Sequence, residues 1–332
     1  MSTDIETAIE EWQTQGWTVV HDLVPAEEID AAVEELWGHF PHPSDYHSGS
    51  PEALAHFENE STDARYQPSR QGRSHGLNQD DTAGAEFRLR QFLGHVLFPY
   101  DSHLLNRLQV HPRVVDFAQR AMGSEDIRLY QARIWGKYTG VTDYEQPFHQ
   151  DRNHTIVPDR IEPGWWNLLG FLYLSDVEEG VGPTEILNLG DSPPGSEPQS
   201  AAGRRGSYLA YRTDVWHRGV NLTREGGSRF LMNMAFKHAH HEWIGFDSFQ
   251  QNANRGPWSK FAASCTPEEL ALFGAPKPGH PFWTTELVDA LEDRYHGIDA
   301  TPWREALEQC TSIKRLTTAA PKRSTTKSFT GR

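Results

Sequence analysis

Two short motifs in the middle of the chain carry side chains that can bind a metal ion. The first is FHQD at residues 148–151, which places His149 and Asp151 two residues apart. In a β-strand, residues two apart point to the same face, so this imidazole and this carboxylate would face one point together. The second is DVWH at residues 214–217, directly after an apolar run of strand length. His217 is therefore the candidate third ligand.

Two imidazoles and one carboxylate on one face of an iron ion leave three adjacent coordination positions open, which is the pattern of non-haem Fe(II) oxygenases. Arg229 lies twelve residues after His217 and opens the next apolar run. An arginine there can hold a carboxylate through two parallel hydrogen bonds. His-x-Asp alone is a weak signal in a chain with 17 histidines. The whole set, together with the scarcity of cysteine, favours a metal site.

The elements that would position these residues are short apolar runs separated by Gly, Pro and Asp clusters. Several such runs with turn signals between them indicate a β-sandwich or barrel. We predict a mainly β fold with flanking helices. The predicted strands cover residues 17–20, 127–137, 166–174, 184–189, 207–211 and 229–237.

Helical periodicity precedes and follows the predicted strands. One long segment, residues 41–82, is rich in His, Ser, Asp and Gly and has little periodicity, so it is either a functional lid or a mobile insertion. Residues 1–310 are predicted to form a single oxygenase domain. The tail, residues 311–332, contains six basic residues and no acidic one, and we predict that it is disordered. The predicted helices cover residues 4–15, 86–97, 102–122, 243–252, 266–272, 284–295 and 302–309, with one more beginning at residue 25.

Composition excludes several classes of protein. The chain has 332 residues, of which 46 are acidic and 31 basic, giving a formal net charge of −15. This balance argues against a general binder of nucleic acid or of anionic membranes. Two cysteines exclude a disulfide scaffold and a cysteine-based metal site. No apolar run is long enough to span a membrane and no secretion signal opens the chain, so we expect a cytoplasmic protein that acts on a small molecule.

The chain resembles the phytanoyl-CoA dioxygenase-like branch of the Fe(II)/2-oxoglutarate oxygenases over residues 15–236. The resemblance comprises an opening GWTVVHDLVPAEEIDAAVEEL, the HQD motif and HRGVNLTREGGSRF at 217–230. It implies a core that is a double-stranded β-helix, the cupin-like jelly roll, and it implies Fe(II), with 2-oxoglutarate and O2 as cosubstrates. It also implies iron ligands at His149, Asp151 and His217, with Arg229 on the 2-oxoglutarate C5 carboxylate. Further cosubstrate contacts are implied at Thr223, Gln131 and Lys137, and Arg133 and Trp166 are candidates for lining the substrate pocket.

The sequence departs from the pattern of this family in two places. Gly182-Pro183-Thr184 is not followed by the usual Pro-Gly-Ser-His segment, and Gly219 replaces a common serine. These differences leave the iron site intact but weaken any transfer of substrate. Related halogenases replace the carboxylate ligand with Ala or Gly, so retention of Asp151 favours hydroxylation. We therefore predict a hydroxylase of a small organic molecule that converts 2-oxoglutarate to succinate and CO2.

Two other functions stay open at the level of sequence. One is a non-catalytic, cupin-like protein that binds a metal or ligand without a cosubstrate pocket. The other is a zinc hydrolase that uses the same three ligands. Among competing residues, His154 is expected outside the ligand set and Arg218 on the opposite strand face from His217. The histidines at 238, 240 and 241 are expected at a pocket edge or a strand end.

Overall fold

The computed structural model contains two β-sheets, and six antiparallel strands form the larger one. The structure describes residues 4–60, 94–140, 143–157, 162–249 and 256–318. In the longest pair of strands, Ile127 lies opposite His238 at one end and Tyr138 lies opposite Ser228 at the other. The strands of this sheet are β1 Trp17–Val20, β2 His95–Leu97, β3 Ile127–Tyr138, β4 Leu168–Tyr173, β7 Tyr208–Arg212 and β9 Ser228–His238. Their order across the sheet is β1-β7-β4-β9-β3-β2.

The smaller sheet has the order β6-β5-β8, with β5 Glu185–Ile186, β6 Gln199–Ser200 and β8 His217–Arg218. An isolated antiparallel bridge between His149 and His217 continues it on the β8 side. From β3 onward the chain therefore passes from the larger sheet to the smaller and back three times. Its order is β3, the bridge at His149, β4, then β5 and β6, then β7, β8 and β9.

A shared apolar core joins the two sheets. Ile186 of β5 lies in one buried cluster with Leu169, Leu209 and Leu231. These three leucines come from the adjacent strands β4, β7 and β9 of the larger sheet. Each of these side chains is at most 3% exposed. Burying a leucine or isoleucine of this size contributes roughly 1.5–3 kcal/mol. The cluster thus fixes the spacing of the sheets on which the candidate ligands lie.

Gly16 permits the tight connection between the first helix and β1. Its φ is +85°, a left-handed conformation that glycine adopts without strain, and a Cβ there would overlap Val215. The turn is held by a hydrogen bond from the Arg212 backbone N–H to the Gly16 carbonyl at 2.9 Å. Glycine is therefore required here both for conformation and for space.

Helices precede the strands along the chain, lie between them and follow them, and several begin with a side-chain cap. Asp4 caps α1, Ser102 caps α5, and the backbone N–H groups of Thr7 and Leu105 donate to these two side chains. The helices are α1 Ile5–Gln15, α2 Ala26–Leu36, α3 Pro43–His47, α4 Pro51–Glu60, α5 His103–Gln109, α6 Pro112–Met122, α7 Gly256–Ala263, α8 Pro267–Ala271, α9 Thr285–Arg294 and α10 Thr301–Thr318. None of the described helices combines the length and the apolar composition that crossing a bilayer requires.

Four segments differ from the sequence predictions. Residues 102–122 form two helices and not one, because Pro112 has no N–H to continue the first helix and instead opens the second. His95–Leu97 is a strand, paired with β3. Residues 243–249 contain an isolated bridge at Ile244 but no helix. The 41–82 segment contains α3 and α4, and its remainder, 61–82, lies outside the described residues, as do 86–93.

The chain divides into two compact units, Met1–Trp258 and Ser259–Arg332. The single domain over residues 1–310 stays a prediction. Within the second unit, Thr266 and Glu269 form a reciprocal capping box at α8, and Trp283 packs edge-on against Trp303 with ring centroids 5.8 Å apart. α10 continues to Thr318, beyond the predicted helix end at 309. Residues 319–332 of the predicted tail lie outside the described residues.

Candidate metal centre

Backbone pairing brings the two histidines of the candidate site together. The N–H of His149 donates to the carbonyl of His217, and the N–H of His217 donates to the carbonyl of His149, both at 3.0 Å. Asp151 is held separately, by its own N–H donating to Thr213 at 3.0 Å. His149 and Asp151 do not lie on a continuous strand as the sequence predicted, because the chain turns into a short 3-10 helix at Arg152–His154. They nevertheless face the same point.

The side chains of these three residues converge through specific atoms. The Nδ1 atoms of His149 and His217 lie 2.9 and 3.2 Å from the carbonyls of Pro147 and Val215. Each ring therefore presents Nε2 to Asp151, at 3.8 Å from Oδ1 for His149 and 3.4 Å from Oδ2 for His217. The three ligand atoms all lie within 4.8 Å of one another, the one such group among the described residues.

Asp151 is held in its ionised form. Burial alone raises its pKa, but the charge and hydrogen bond of the His217 ring, together with the rings of His154 and His149, outweigh burial and hold the pKa well below its ordinary value. The hydroxyl of Tyr211 also donates to Asp151 Oδ2 at 3.4 Å. A carboxylate that is ionised at every ordinary pH is ready to bind a cation without first losing a proton.

The three residues lie in the wall of a cavity of about 750 Å³, a volume that includes its open mouth. Both sheets contribute to the lining, and the sides are mostly aromatic. Apart from the three candidate ligands, the described lining residues are Gln131, Arg133, Trp135, Tyr144, Gln146, His154, Phe171, Thr184, Tyr211, Gly219, Arg229, Leu231, Asn233 and Phe246.

Arg229 lines this cavity from the start of β9 and is 3% exposed. Its Nη1 donates to the carbonyl of Gly182, whereas its Nε has no hydrogen-bond partner among the described residues. Burial lowers the pKa of Arg229 from its ordinary value. A buried guanidinium with an unused donor is costly unless a ligand satisfies it.

Lys137 lies opposite Arg229 in the β3–β9 register and is 1% exposed. Its ammonium donates to the carbonyls of Tyr144 and Val220 and lies 3.4 Å from Asp143. Burial, and secondarily the charge of Arg229, lower the pKa of Lys137 to about 7, against the opposing effect of Asp143. Lys137 supports the wall behind Arg229 and is not itself a lining residue.

The remaining sequence-predicted residues divide into two groups. Gln131 and Arg133 line the cavity from β3. Thr223 and Trp166 do not. Thr223 is exposed, and its backbone N–H donates to the carbonyl of Gly180. Trp166 packs edge-on against another indole and under the guanidinium of Arg212 at 4.2 Å. Thr223 was assigned from its position in the family motif and Trp166 from its place just before a strand, and neither determines the direction of a side chain.

Several lining residues were not singled out from the sequence. Tyr144 and Phe246 lie in irregular segments, where no periodicity indicates which side chains face inward. Tyr211 and Phe171 lie on predicted strands, but these strands are buried at nearly every residue, so no polar–apolar alternation indicates which side chains face the cavity. His154 was expected outside the ligand set; it is buried in the lining, and its Nδ1 lies 3.1 Å from the Tyr130 hydroxyl.

The other polar clusters noted in the sequence form separate arrangements. Arg218 pairs with Glu185 at 2.7 Å and Glu145 at 3.0 Å, away from the cavity lining. His241 is fully buried and stacks on Trp165 with ring centroids 5.1 Å apart. Burial, followed by the charges of neighbouring histidines and a lysine, lowers the pKa of His241 to about 4. This ring is a neutral packing element.

Comparison with known proteins finds no family model that matches this chain and no curated protein that matches it. Among solved structures it is similar to the epimerase SnoN in complex with Fe3+, alpha ketoglutarate and nogalamycin RO, at 16% identity and a TM-score of 0.44, over 71% of this chain and 84% of that one.

Two further solved structures show the same level of similarity. The alpha ketoglutarate dependent carbocyclase SnoK from nogalamycin biosynthesis has 14% identity and a TM-score of 0.45, over 72% of this chain and 87% of that one. AviO1 from Streptomyces viridochromogenes Tue57 has 14% identity and a TM-score of 0.43, over 72% and 97%. Similarity at this level assigns neither a fold nor an activity, so both are argued from the geometry described above.

Proposed function

We propose that this protein is a non-haem Fe(II)/2-oxoglutarate-dependent oxygenase that hydroxylates a small organic molecule. The observation that carries the proposal is the convergence of His149, Asp151 and His217 in one cavity with the buried Arg229. The HQD and HRGVNLTREGGSRF motifs support a relation to the phytanoyl-CoA dioxygenase-like branch of these enzymes.

The donor set fits a divalent iron ion. Two ligands that bind one ion at right angles, each at about 2.1 Å, lie about 3 Å apart. The Nε2-to-carboxylate separations of 3.4 and 3.8 Å need only a small contraction to reach this spacing. Each Nδ1 is already directed at a backbone carbonyl, which fixes the ring and the tautomer needed for ligation through Nε2.

The surroundings of Arg229 fit a dicarboxylate cosubstrate. Its unpartnered Nε is a hydrogen-bond donor that a carboxylate would satisfy, and Thr184 and Tyr144 line the cavity beside it. Burial raises the pKa of Tyr144 to about 12, so its hydroxyl stays protonated and can donate. When bound, Fe(II) with 2-oxoglutarate and O2 supplies oxidising chemistry in which decarboxylation to succinate and CO2 is coupled to oxidation of the substrate.

The protein's own contribution would be to orient ligands and exclude water. Phe171, Tyr211 and Leu231 cover the inner wall of the cavity. The Tyr211 hydroxyl holds one oxygen of Asp151 and so restricts the rotation of that carboxylate. Apolar walls around the metal ligands keep bulk water from the place where a substrate would be oxidised.

The succession of strands supports a double-stranded β-helix. A jelly roll contains eight strands that alternate between two facing sheets. Here eight segments, from β3 through the bridge at His149 to β9, divide equally between the larger and smaller sheets and share one core. The candidate metal ligands then lie on strand ends of the smaller sheet, and Arg229 lies on the last strand of the larger sheet.

The two other functions left open by the sequence have less support. A simple metal binder has no use for a buried arginine with an unsatisfied donor in the same cavity. A zinc hydrolase of the common kind needs a carboxylate that acts as general base in addition to the metal ligands. Asp151 is the only carboxylate among the described lining residues.

The test is spectroscopic. We expect anaerobic addition of Fe(II) and 2-oxoglutarate to the protein to give a weak visible charge-transfer band, because both would bind one ion. His217→Ala removes a ligand and should abolish the band. Arg229→Gln should raise the 2-oxoglutarate concentration for half-maximal band intensity by about 10-fold or more, since a charge-assisted pair is lost.

Two variants serve as matched controls. His240→Ala removes an exposed histidine outside the cavity lining, and Arg218→Gln removes an arginine that is paired elsewhere. Both should bind like the wild type. A wild-type protein that gives no band, and forms no succinate from 2-oxoglutarate in air, would contradict the proposal. Zinc-dependent hydrolysis, together with no succinate formed when Fe(II) replaces the zinc, would point to the hydrolase.

A further inference from the structure

The candidate cavity has a second polar end, away from Arg229. Arg229 and Asn233 both line the cavity from β9 and are four residues apart, which corresponds to about 13 Å along a strand. Asn233 lies opposite Arg133 in the β3–β9 register, and Gln131 lies two residues further along the same face of β3. We call this group, Gln131, Arg133 and Asn233, the far end of the cavity, and its distance from Arg229 separates it from the place proposed for the cosubstrate.

Arg133 does not present a free charge to the far end. Its Nη2 forms an ion pair with Asp247, and the side chains of the two residues are only 6% and 18% exposed. The guanidinium also lies over the ring of Phe246, with Cζ 4.9 Å from the ring centroid. The charge of Arg133 is thus cancelled by a neighbour that the protein itself supplies.

The backbone fixes Asp247 in this position. Its N–H donates to the carbonyl of Tyr130 at 3.0 Å, and its Oδ2 accepts from the N–H of Ala132, also at 3.0 Å. Tyr130 is the extra residue at the irregularity between Leu129 and Gln131 in β3. A bulge of this kind turns a backbone group out of the ladder, and here the freed carbonyl of Tyr130 accepts from the backbone N–H of Asp247.

The charges around the cavity balance in the protein as it stands. Among the described lining residues, Asp151 opposes Arg229, and Arg133 is opposed by Asp247, which is bound to it from outside. The dication and the dianionic cosubstrate of the proposed function also cancel each other. A charged substrate would therefore lose its hydration without gaining a counter-ion, which is unfavourable in a partly buried site.

The neutral polar groups and the walls indicate what the far end would favour. Gln131 and Asn233 offer amide groups, and Asn233 Oδ1 has no hydrogen-bond partner among the described residues. Trp135, Phe171 and Phe246 present aromatic rings to the same cavity. Flat aromatic walls with a few amide groups suit a planar ring that carries a hydroxyl, carbonyl or amide.

We propose that the far end selects an uncharged, polar, ring-containing substrate, and that the Arg133–Asp247 pair sets this selectivity. This inference rests on the proposed function, because it assumes that the metal and the cosubstrate bind at the Arg229 end of the cavity. Arg133 and Asp247 act as specificity-determining residues: either one alone would leave a single uncompensated charge beside the substrate.

The test uses three probes with the same ring and nearly the same shape: benzamide, which is neutral, benzoate, which is anionic, and benzamidine, which is cationic. Binding to the full-length protein is measured by calorimetry with anaerobic Fe(II) and 2-oxoglutarate, so that the cosubstrate and not benzoate occupies Arg229. The shifts between variants are measured again without Fe(II) and 2-oxoglutarate. The wild type should bind benzamide about 10-fold more tightly than either charged probe. Asp247→Asn should shift the preference about 10-fold towards benzoate, and Arg133→Gln by a similar factor towards benzamidine.

The double variant, Arg133→Gln with Asp247→Asn, removes both charges and should restore the preference for benzamide. This keeps the test decisive if one single variant does not fold. Asp30→Asn changes the net charge by the same amount as Asp247→Asn, but at an exposed surface pair with Arg205, and should behave like the wild type.

The proposal is overturned if the wild type prefers a charged probe, if it binds none of the three, or if the single variants leave the order unchanged. Arg229 is unchanged in all of these variants, so the shifts in probe preference do not depend on the charge-transfer band, and the two proposals can fail separately.

Discussion

Lys137 and Arg229 illustrate how much the site depends on single residues. Two cations face each other across β3 and β9 at positions that are almost completely buried. The pKa of Lys137 falls to about 7, first because burial penalises its charge and then because Arg229 repels it. The folded protein therefore bears a cost whenever Lys137 is protonated.

This cost predicts a pH dependence of stability. Below about pH 7 Lys137 is protonated in the folded and unfolded chains, so the cost is fully present. Between pH 7 and its ordinary pKa of 10.5 the unfolded chain holds more protons than the folded one, so stability rises with pH. The free energy of unfolding of wild type, minus that of Lys137→Met, should increase by up to about 1.4 kcal/mol per pH unit in urea titrations. Parallel curves for the two proteins would show that Lys137 keeps an ordinary pKa.

Residue types and spacing were sufficient to predict the convergence of His149, Asp151 and His217, because each is close in sequence to a strand whose direction could be inferred. They were insufficient for Thr223 and Trp166, since one residue of register decides whether a side chain faces the cavity. The pairing of Arg133 with Asp247 was not predictable, because Asp247 lies in an irregular segment that is held by side-chain and backbone hydrogen bonds.

At the scale of elements, β4 lies between β7 and β9 and depends on a close approach at Gly170. A Cβ at Gly170 would overlap the ring and hydroxyl of Tyr208, a fully buried residue whose hydroxyl donates to Met234 at 3.1 Å. The glycine therefore makes room for a tyrosine that connects β7 to β9 across β4.

Gly170→Ala should consequently destabilise the protein, by about 1–3 kcal/mol in urea unfolding, because the tyrosine must move within a packed core. Gly245→Ala is the matched control. A Cβ at Gly245 meets no atom within 4 Å, and its φ is not left-handed, so its stability should change little. Equal stability of the two variants would mean that the core around Tyr208 adapts without cost.

The strands were easier to predict than the helices. β3 and β9 are long and rich in buried residues, so their sequence pattern is clear. The smaller sheet consists of two-residue strands, which fall below the length at which alternation can be recognised. The apolar run at 243–252 suggested a helix, but its described part is irregular, since tertiary contacts such as that of Asp247 with β3 override local preference.

At the scale of the whole molecule, a metal ion would couple segments distant in sequence. Ligation by His149, Asp151 and His217 stabilises the folded state only, since the unfolded chain does not bring these residues together. At 100 times the dissociation constant, binding adds about 2.7 kcal/mol.

We expect Mn(II), used in air with 2-oxoglutarate, to raise the thermal midpoint by on the order of 5 °C, given the sensitivity of a chain this long. A chelator should reverse the rise. His217→Ala should show none, and His240→Ala should match the wild type in differential scanning fluorimetry. An equal rise in His217→Ala would mean that the ion binds elsewhere.

The mutual backbone hydrogen bonds of His149 and His217 have a consequence for metal choice. The two imidazoles are paired by the sheet and aligned by carbonyls at their Nδ1 atoms, so their arrangement does not depend on which ion arrives. A cage prepared in this way accepts any dication that tolerates two nitrogens and one oxygen, and affinity for such sites follows the Irving–Williams order. Copper, nickel and zinc would then occupy it more tightly than iron does. The protein determines where the ion binds, and the relative abundance of free ions determines which one it is.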